Sequence, residues 1–180
     1  WLKAMAISDS MAMMIPVFVA VGNIWLTARR RGSLVLHDPA GRLVIAGTIW
    51  YIVTCIQGPL QSLPFLQQVT HFNNWTVGHS HIAVLGFTGF IALGTLWHVL
   101  PPICGRNVYS NGLINLQFGL LLAGLTGFFV VLTTAGLVQG HGWHMGQTEY
   151  EMLPAMAIYM VLRLSSGLFI ITSAIVGFGG

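Results

Sequence analysis

Five long apolar stretches alternate with short polar or charged segments along the chain. The first runs from about Ala4 to Ala28, with Pro16 in its middle, where it kinks a helix that a membrane tolerates. The second runs from about Leu43 to Leu66, and Gly58-Pro59 and Pro64 break its last turns. The third runs from about Thr76 to Leu100 and stops at Pro101-Pro102. The fourth covers about Leu113 to Leu137, and the fifth about Leu153 to Phe178. At about 1.5 Å of rise per residue, each is long enough as a helix to cross about 30 Å of hydrocarbon. The pattern predicts an all-α, polytopic membrane helix bundle of about five transmembrane helices, forming one membrane domain over residues 1–180. No internal repeat or low-complexity linker divides it.

Composition supports this reading. Only 6% of residues are charged and 55% are hydrophobic, whereas a soluble domain carries about 25% charged residues to cover its surface. The lipid bilayer is therefore the expected partner of the apolar surface. The formal charge of +3 forms no long basic run or basic helix face, so no nucleic acid is expected. The basic residues instead mark sides. Arg29, Arg30, Arg31 and Arg42 follow the first span, and Arg106 follows the third. The segment after the second span, Gln67 to Trp75, is uncharged, and the segment after the fourth carries only Glu149 and Glu151. The positive-inside rule then puts residues 32–40 and 102–110 in the cytoplasm. The N-terminus of this segment is outside and its C-terminus cytoplasmic. Cys55 and Cys104 are expected as free thiols. The first residue is Trp1, and the chain is expected to be a fragment of a larger subunit.

The candidate chemistry lies in His71-Phe-Asn-Asn-Trp75-Thr-Val-Gly-His79-Ser-His81, at the opening of the third span. Histidines in an apolar segment are costly unless partnered. Positions i and i+2 of a helix lie about 200° apart. His79 and His81 therefore project from nearly opposite faces, which is poor for one shared tetrahedral metal and good for two separate ligands. Neutral imidazole is a common axial ligand of haem iron. By spacing alone, three readings stay open: one haem on each side, hydrogen bonding within a bundle, or a proton path. Gly78 and Gly86 allow close approach of a flat group or of another helix.

The run HFNNWTVGHSHIAVLGFTGFIALGTLWHVLPPICG resembles the tenth helix of haem–copper oxidase subunit I. The likeness is strongest to the cbb-type cytochrome c oxidases, whose pattern reads H-Y-x-D-W-T-x-G-H-x-H-x-x-x-L-G. The opening WLKAMAISDSMAMMIPVFVAVGN is similar to the eighth helix and WYIVTCIQGPLQS to the ninth. LVQGHGWHMG and YMVLRLSSGL are similar to the end of the eleventh and to the twelfth. The resemblance covers essentially the whole chain, in order. It implies part of the catalytic subunit of a respiratory terminal oxidase in a bacterial inner (cytoplasmic) membrane, reducing oxygen to water with coupled proton uptake. It implies two haems, one low-spin b-type and one high-spin b-type, and a copper ion.

Carried over by residue, the resemblance makes His79 the proximal ligand of the high-spin haem iron, and so the catalytic candidate. His81 becomes an axial ligand of the low-spin haem iron, and His71 lies near the haem propionates, with a solvated loop histidine as its bland alternative. The family's copper needs three histidines, two of them adjacent, and this chain contains no His-His pair. His37 and His98 fall on the cytoplasmic side by the charge pattern, and His141 and His144 in the outer loop. The copper ligands must come from the rest of the catalytic subunit or a partner chain. C-type cytochrome subunits are the implied electron-delivering partners.

Two departures bear on proton supply. Gln57 stands where the cbb-type ninth helix carries a glutamate, and Asn74 where the family carries an aspartate before the tryptophan. An amide does not exchange protons as a carboxylate does. Asp9, in the first span, is an alternative carrier, or it pairs with Lys3 or holds a water cluster. Tyr51 and Thr54 match polar positions of the ninth helix and are candidate proton-path members beside Gln57. Arg163, inside the fifth span, requires a partner: a haem propionate or a backbone carbonyl. Trp75 reads as an interface or packing aromatic. A nitric oxide reductase of the same superfamily is the second functional reading. A non-catalytic haem-binding or structural membrane subunit is a third, of another class. The orientation has a direct test: an impermeant thiol reagent outside sealed cells should leave Cys104 unlabelled, and ready labelling would invert the topology.

Overall fold

The computed structural model describes residues 1–105 and 110–179; Arg106, which the charge pattern assigns to the third loop, lies outside them. The described chain is helical almost throughout. In order, the helices are α1 (Leu2–Ala12), α2 (Met14–Arg29), α3 (Gly32–His37), α4 (Pro39–Gln61), α5 (Pro64–Thr70), α6 (Asn74–His81), α7 (Phe90–Cys104), α8 (Asn111–His144) and α9 (Glu149–Phe178). A π-helical segment, Ile82–Gly89, joins α6 to α7 without a break. Five stretches are long and apolar enough to cross a membrane: Leu2–Arg29, Pro39–Gln61, Asn74–Cys104, Asn111–His144 and Glu149–Phe178. The shortest, at 23 residues, spans about 35 Å.

The helices outrun the apolar runs at several ends, because caps rather than hydropathy fix them. The α4 helix starts at Pro39, not near Leu43, since Asp38 caps it by accepting from Gly41 N–H at 3.0 Å with Pro39 in the first helical position. Arg42 is therefore a first-turn residue of a helix and not a loop residue. The α9 helix starts at Glu149, not near Leu153, through a capping box between Thr148 and Glu151. The α8 helix continues past Leu137 to His144, so His141 and His144 stand exposed at its end rather than in a loop. The third span also passes through Pro101-Pro102 and ends at Cys104, where Gly105 takes a left-handed φ of 66°. Each proline removes the donor to a carbonyl four residues earlier and crowds that carbonyl with its ring, but its φ is helical and the helix runs on through both. Pro16 acts as the sequence suggests: it supplies no N–H to Ala12, and α1 gives way to α2 at Met13.

The third span lies in the middle, packed against α4 on one side and α8 on the other, while α9 runs along α8. Small residues permit this closeness. A Cβ added to Gly86 would stand 2.9 Å from Trp50 of α4 and 3.1 Å from Leu125 of α8. The core between them comprises Leu43, Trp50, Ile82, Phe90, Ile114 and Leu125. Two buried glutamines tie the bundle near its two ends. Gln117 accepts from Trp97 Nε1 at 3.0 Å through its side chain, and its carbonyl accepts from Ser173 at 3.0 Å. Gln139 accepts from Asn74 Nδ2 at 2.8 Å and donates to Glu149 at 3.2 Å. With no water at membrane depth, a buried amide must find such partners within the protein.

These ties also group the loops. Arg42 donates to Asn115 of α8, so the start of α4 and the start of α8 share one side. The Gln139 ties hold the start of α6, the end of α8 and the start of α9 on the other. The alternation expected from the arginines is thus the alternation of the fold. Cys55 is half-buried and Cys104 exposed, and both are free.

Packing at Gly136 tests this architecture. A Cβ there would meet the Trp75 backbone nitrogen at 2.1 Å. Gly136→Ala should cost about 1–3 kcal/mol, the usual range for overpacking, seen as a lower Tm of the purified protein. Gly119, on the same helix with nothing within 4 Å, is the control, and Gly119→Ala should not lower the Tm. Equal melting of both variants would refute the close approach.

Candidate functional site

The site begins at a turn. Phe72 takes a left-handed φ of 58° between α5 and α6, a conformation that costs a side-chain-bearing residue about 1–2 kcal/mol. Asn73, which is buried, holds this turn in place. Its Oδ1 accepts from Trp75 N–H at 2.9 Å, capping α6, and its Nδ2 donates to the Val69 and Gly136 carbonyls at 2.5 and 2.8 Å. One side chain thus joins the end of α5, the start of α6 and the middle of α8. Trp75 then stacks on His79 one turn later, with ring centroids 5.8 Å apart and an interplanar angle of 10°.

From that footing the two histidines diverge. His79 turns to α4: its Nδ1 lies 3.3 Å from Gln57 Oε1. A Cβ on Gly58 would stand 3.7 Å from His79 Cε1. His81 turns to α8: its ring centroid lies 4.8 Å from that of Phe128, and its Nδ1 lies 2.7 Å from the Val77 carbonyl. The Val77 carbonyl can only accept, so His81 Nδ1 donates in its bond, and His79 Nδ1 donates where Gln57 presents its amide oxygen. That choice leaves Nε2 of each ring as a free lone pair, the state a metal ligand requires. Both rings are half-buried.

The other candidates sort by distance from this pair. Gln57 touches His79 directly, so its contact is with the histidine ring itself. Tyr51 and Thr54 lie within about 120° of Gln57 around the same helix. Tyr51 stacks on Phe87 of the third span at 4.3 Å, and the Thr54 hydroxyl donates to the Trp50 carbonyl at 2.9 Å. Asp9 is exposed on α1, apart from this group. His71 is exposed; its Nδ1 accepts from Gln67 Nε2 at 2.8 Å, and it borders a hollow shared with Lys3, Ser62 and Gln68. The sequence does not single out Phe128 as a neighbour of His81. Phe128 packs against its ring, and the Arg163 guanidinium lies 5.7 Å from the centroid of that same phenyl ring. The partner Arg163 finds here is an aromatic face. Nothing local in the sequence links residues 81, 128 and 163; only the packing of three helices does.

Residues 1–169 match the model of a known family, described as cytochrome c and quinol oxidase polypeptide I. The chain belongs to this family. It is similar to a cytochrome c oxidase subunit 1 homolog of Agrobacterium tumefaciens (strain T37), 26% identical over 98% of this chain and 34% of that protein. A bacteroid homolog of the same subunit from Bradyrhizobium diazoefficiens is 26% identical over 99% of this chain and 34% of its own length. The Cbb3-type cytochrome c oxidase subunit CcoN1 of Stutzerimonas stutzeri is 26% identical over 93% of this chain and 37% of its own. The chain therefore spans about a third of the length of the curated relatives it matches. The family implies haem and copper. The free Nε2 atoms of His79 and His81 fit axial haem ligation, one on each face of α6. For copper, no group of three or more His, Cys, Asp or Glu able to hold a metal occurs among the described residues, so they do not fit a copper site by themselves.

The Gln57 contact yields a prediction. Partners of this kind, removed, typically cost about 10–100-fold in metal affinity. With iron on His79 Nε2, Gln57→Leu should weaken haem retention by at least about tenfold, while Gln57→Glu should retain haem and lower its midpoint potential by strengthening the bond to Nδ1–H. Haem content and redox titration of the purified complex read both. Unchanged values in both variants would remove Gln57 from the site.

Proposed function

We propose that this chain is the part of a cbb-type cytochrome c oxidase catalytic subunit that carries one axial ligand for each of two haems. The carrying observation is that His79 and His81 face different helices, each with its Nδ1 beside an oxygen, Gln57 Oε1 or the Val77 carbonyl, which suits a ring that offers Nε2 to a metal. His79 holds the high-spin b-type haem on the α4 side, and His81 holds the low-spin b-type haem on the α8 side. Bound there, the haems supply one-electron transfer and oxygen binding at iron, which the protein's own side chains lack. The chain's contribution is geometric. The Trp75 stack and the Gln57 contact orient His79, the Val77 carbonyl and Phe128 orient His81, and one rigid helix fixes the spacing between them. His71, with Lys3 and Gln67, forms a polar rim suited to haem carboxylates. Tyr51, Thr54 and Asp9 are the proton-path candidates.

The rest of the catalytic subunit or a partner chain supplies the copper ligands, and c-type cytochrome subunits deliver electrons. The reaction is reduction of oxygen to water with proton uptake, in the bacterial inner membrane, with this segment's N-terminus outside and its C-terminus cytoplasmic. Reduction of nitric oxide is the second reading. It is favoured by two features: the neutral Gln57 at a position where the cbb-type pattern has a carboxylate, and Leu63-Pro64 before the outer loop. Oxygen and nitric oxide consumption by one purified preparation separate the two. A preparation with neither activity and no high-spin haem points to the third reading, a non-catalytic membrane subunit.

Substitution of the two histidines tests the central claim. His81→Ala should remove the low-spin spectrum and stop electron entry, while carbon monoxide still binds the high-spin haem. His79→Ala should keep the low-spin spectrum and abolish carbon monoxide binding. Identical partial loss of one haem in both variants would end the two-haem reading. No change in either would make the pair ordinary packing residues.

A further inference from the structure

A groove of about 550 Å³ runs between α4 and α8; its lining on α4 ends at Val53, one helical turn short of Gln57, and includes neither Gln57 nor His79. Arg42 and Phe118 border one end of it, and Val53 and Val130 the other. Between them its walls are almost wholly apolar, and Ile49 and Val130 are more than half exposed, at 57% and 51%. The helices run parallel here, since Arg42 reaches Asn115 at the start of α8. The path from Arg42 to Val53 therefore measures about 16 Å along the helix axis. That is about half of a 30 Å hydrocarbon core, the depth of one leaflet.

The end at Arg42 has a different chemistry. One terminal nitrogen of its guanidinium donates to Asn115, and the group lies 5.7 Å from the Phe118 centroid. Its Nε is buried and has no hydrogen-bond partner. No Asp or Glu lines the groove to balance the charge. Arg29, Arg30 and Arg31 approach the membrane surface on the same side, at the end of α2. A cation at the interface end of a leaflet-deep apolar trough matches one amphiphile: a phosphate above an acyl chain. A guanidinium binds phosphate oxygens in a fork, and the surrounding arginines favour a lipid of net negative charge over a zwitterion.

We propose that this groove holds an acyl chain of an anionic phospholipid, with the phosphate on Arg42. The test uses the complete oxidase complex in nanodiscs of equal phosphatidylglycerol and phosphatidylcholine, stripped of loose lipid and weighed by native mass spectrometry. The wild type should retain one phosphatidylglycerol. Arg42→Gln should lower that retention at least tenfold, and Arg42→Lys should restore part of it. Ile49→Trp, which fills the trough and leaves the guanidinium in place, should also release the lipid; equal melting of these variants and the wild type keeps the comparison fair. Photoleucine at position 130 should cross-link to lipid. Equal retention of phosphatidylcholine, or of phosphatidylglycerol by Arg42→Gln, would overturn the proposal. So would release of the lipid by millimolar inorganic phosphate alone, which would mark a free anion site. Cross-linking at position 130 to polypeptide instead of lipid would show that protein covers the groove.

Discussion

The arrangement of this protein depends on how closely α6 can approach α8. Gly136 and Gly140 leave room for the backbone of Trp75 and the carbonyl of Val69, where any side chain would collide. Asn73 converts that contact into hydrogen bonds, capping α6 and holding the Gly136 carbonyl at once. The strained Phe72 turn is kept by this anchorage. Because α6 starts from a fixed point at a fixed rotation, both histidines inherit a fixed direction. His79 can reach Gln57 only because the helix that carries it is clamped to the opposite neighbour.

Apolar solvent imposes the second condition. Helices in hydrocarbon gain little from burying leucine against leucine, so small residues and satisfied polar groups decide which faces meet. Gln117 and Gln139 each connect three helices near one end of the bundle, and Gly86 lets the middle span lie between Trp50 and Leu125. The π-helical segment at Ile82–Gly89 begins directly after His81. Wider winding at this point changes the register of everything that follows, as such segments often do beside functional residues. The α1–α2 helix, by contrast, buries only Val17, and its apolar surface faces outward.

The sequence by itself determined the spans, the alternation of their ends and the opposed faces of His79 and His81. These follow from transfer free energy, from charge and from helical period, all of which act on residues near one another in the chain. It also carried the family, through the H-x-H run and its flanks. Its helix limits fell short wherever a polar cap extended a helix beyond its apolar run, as Asp38-Pro39 and the Thr148–Glu151 box do. Only the tertiary structure decided which neighbour each histidine meets. Gln57, read along the chain, is a lost proton carrier; in the fold its amide meets His79 Nδ1. Phe128 packs against His81 and Arg163 lies over that phenyl ring, each from a helix distant in sequence. Arg42 looks like a loop charge and is a helix residue at the end of an apolar groove. The physical reason is that a helix's period fixes where its faces point relative to one another, while the partner of each face is chosen by glycine gaps and hydrogen bonds between segments far apart in the chain.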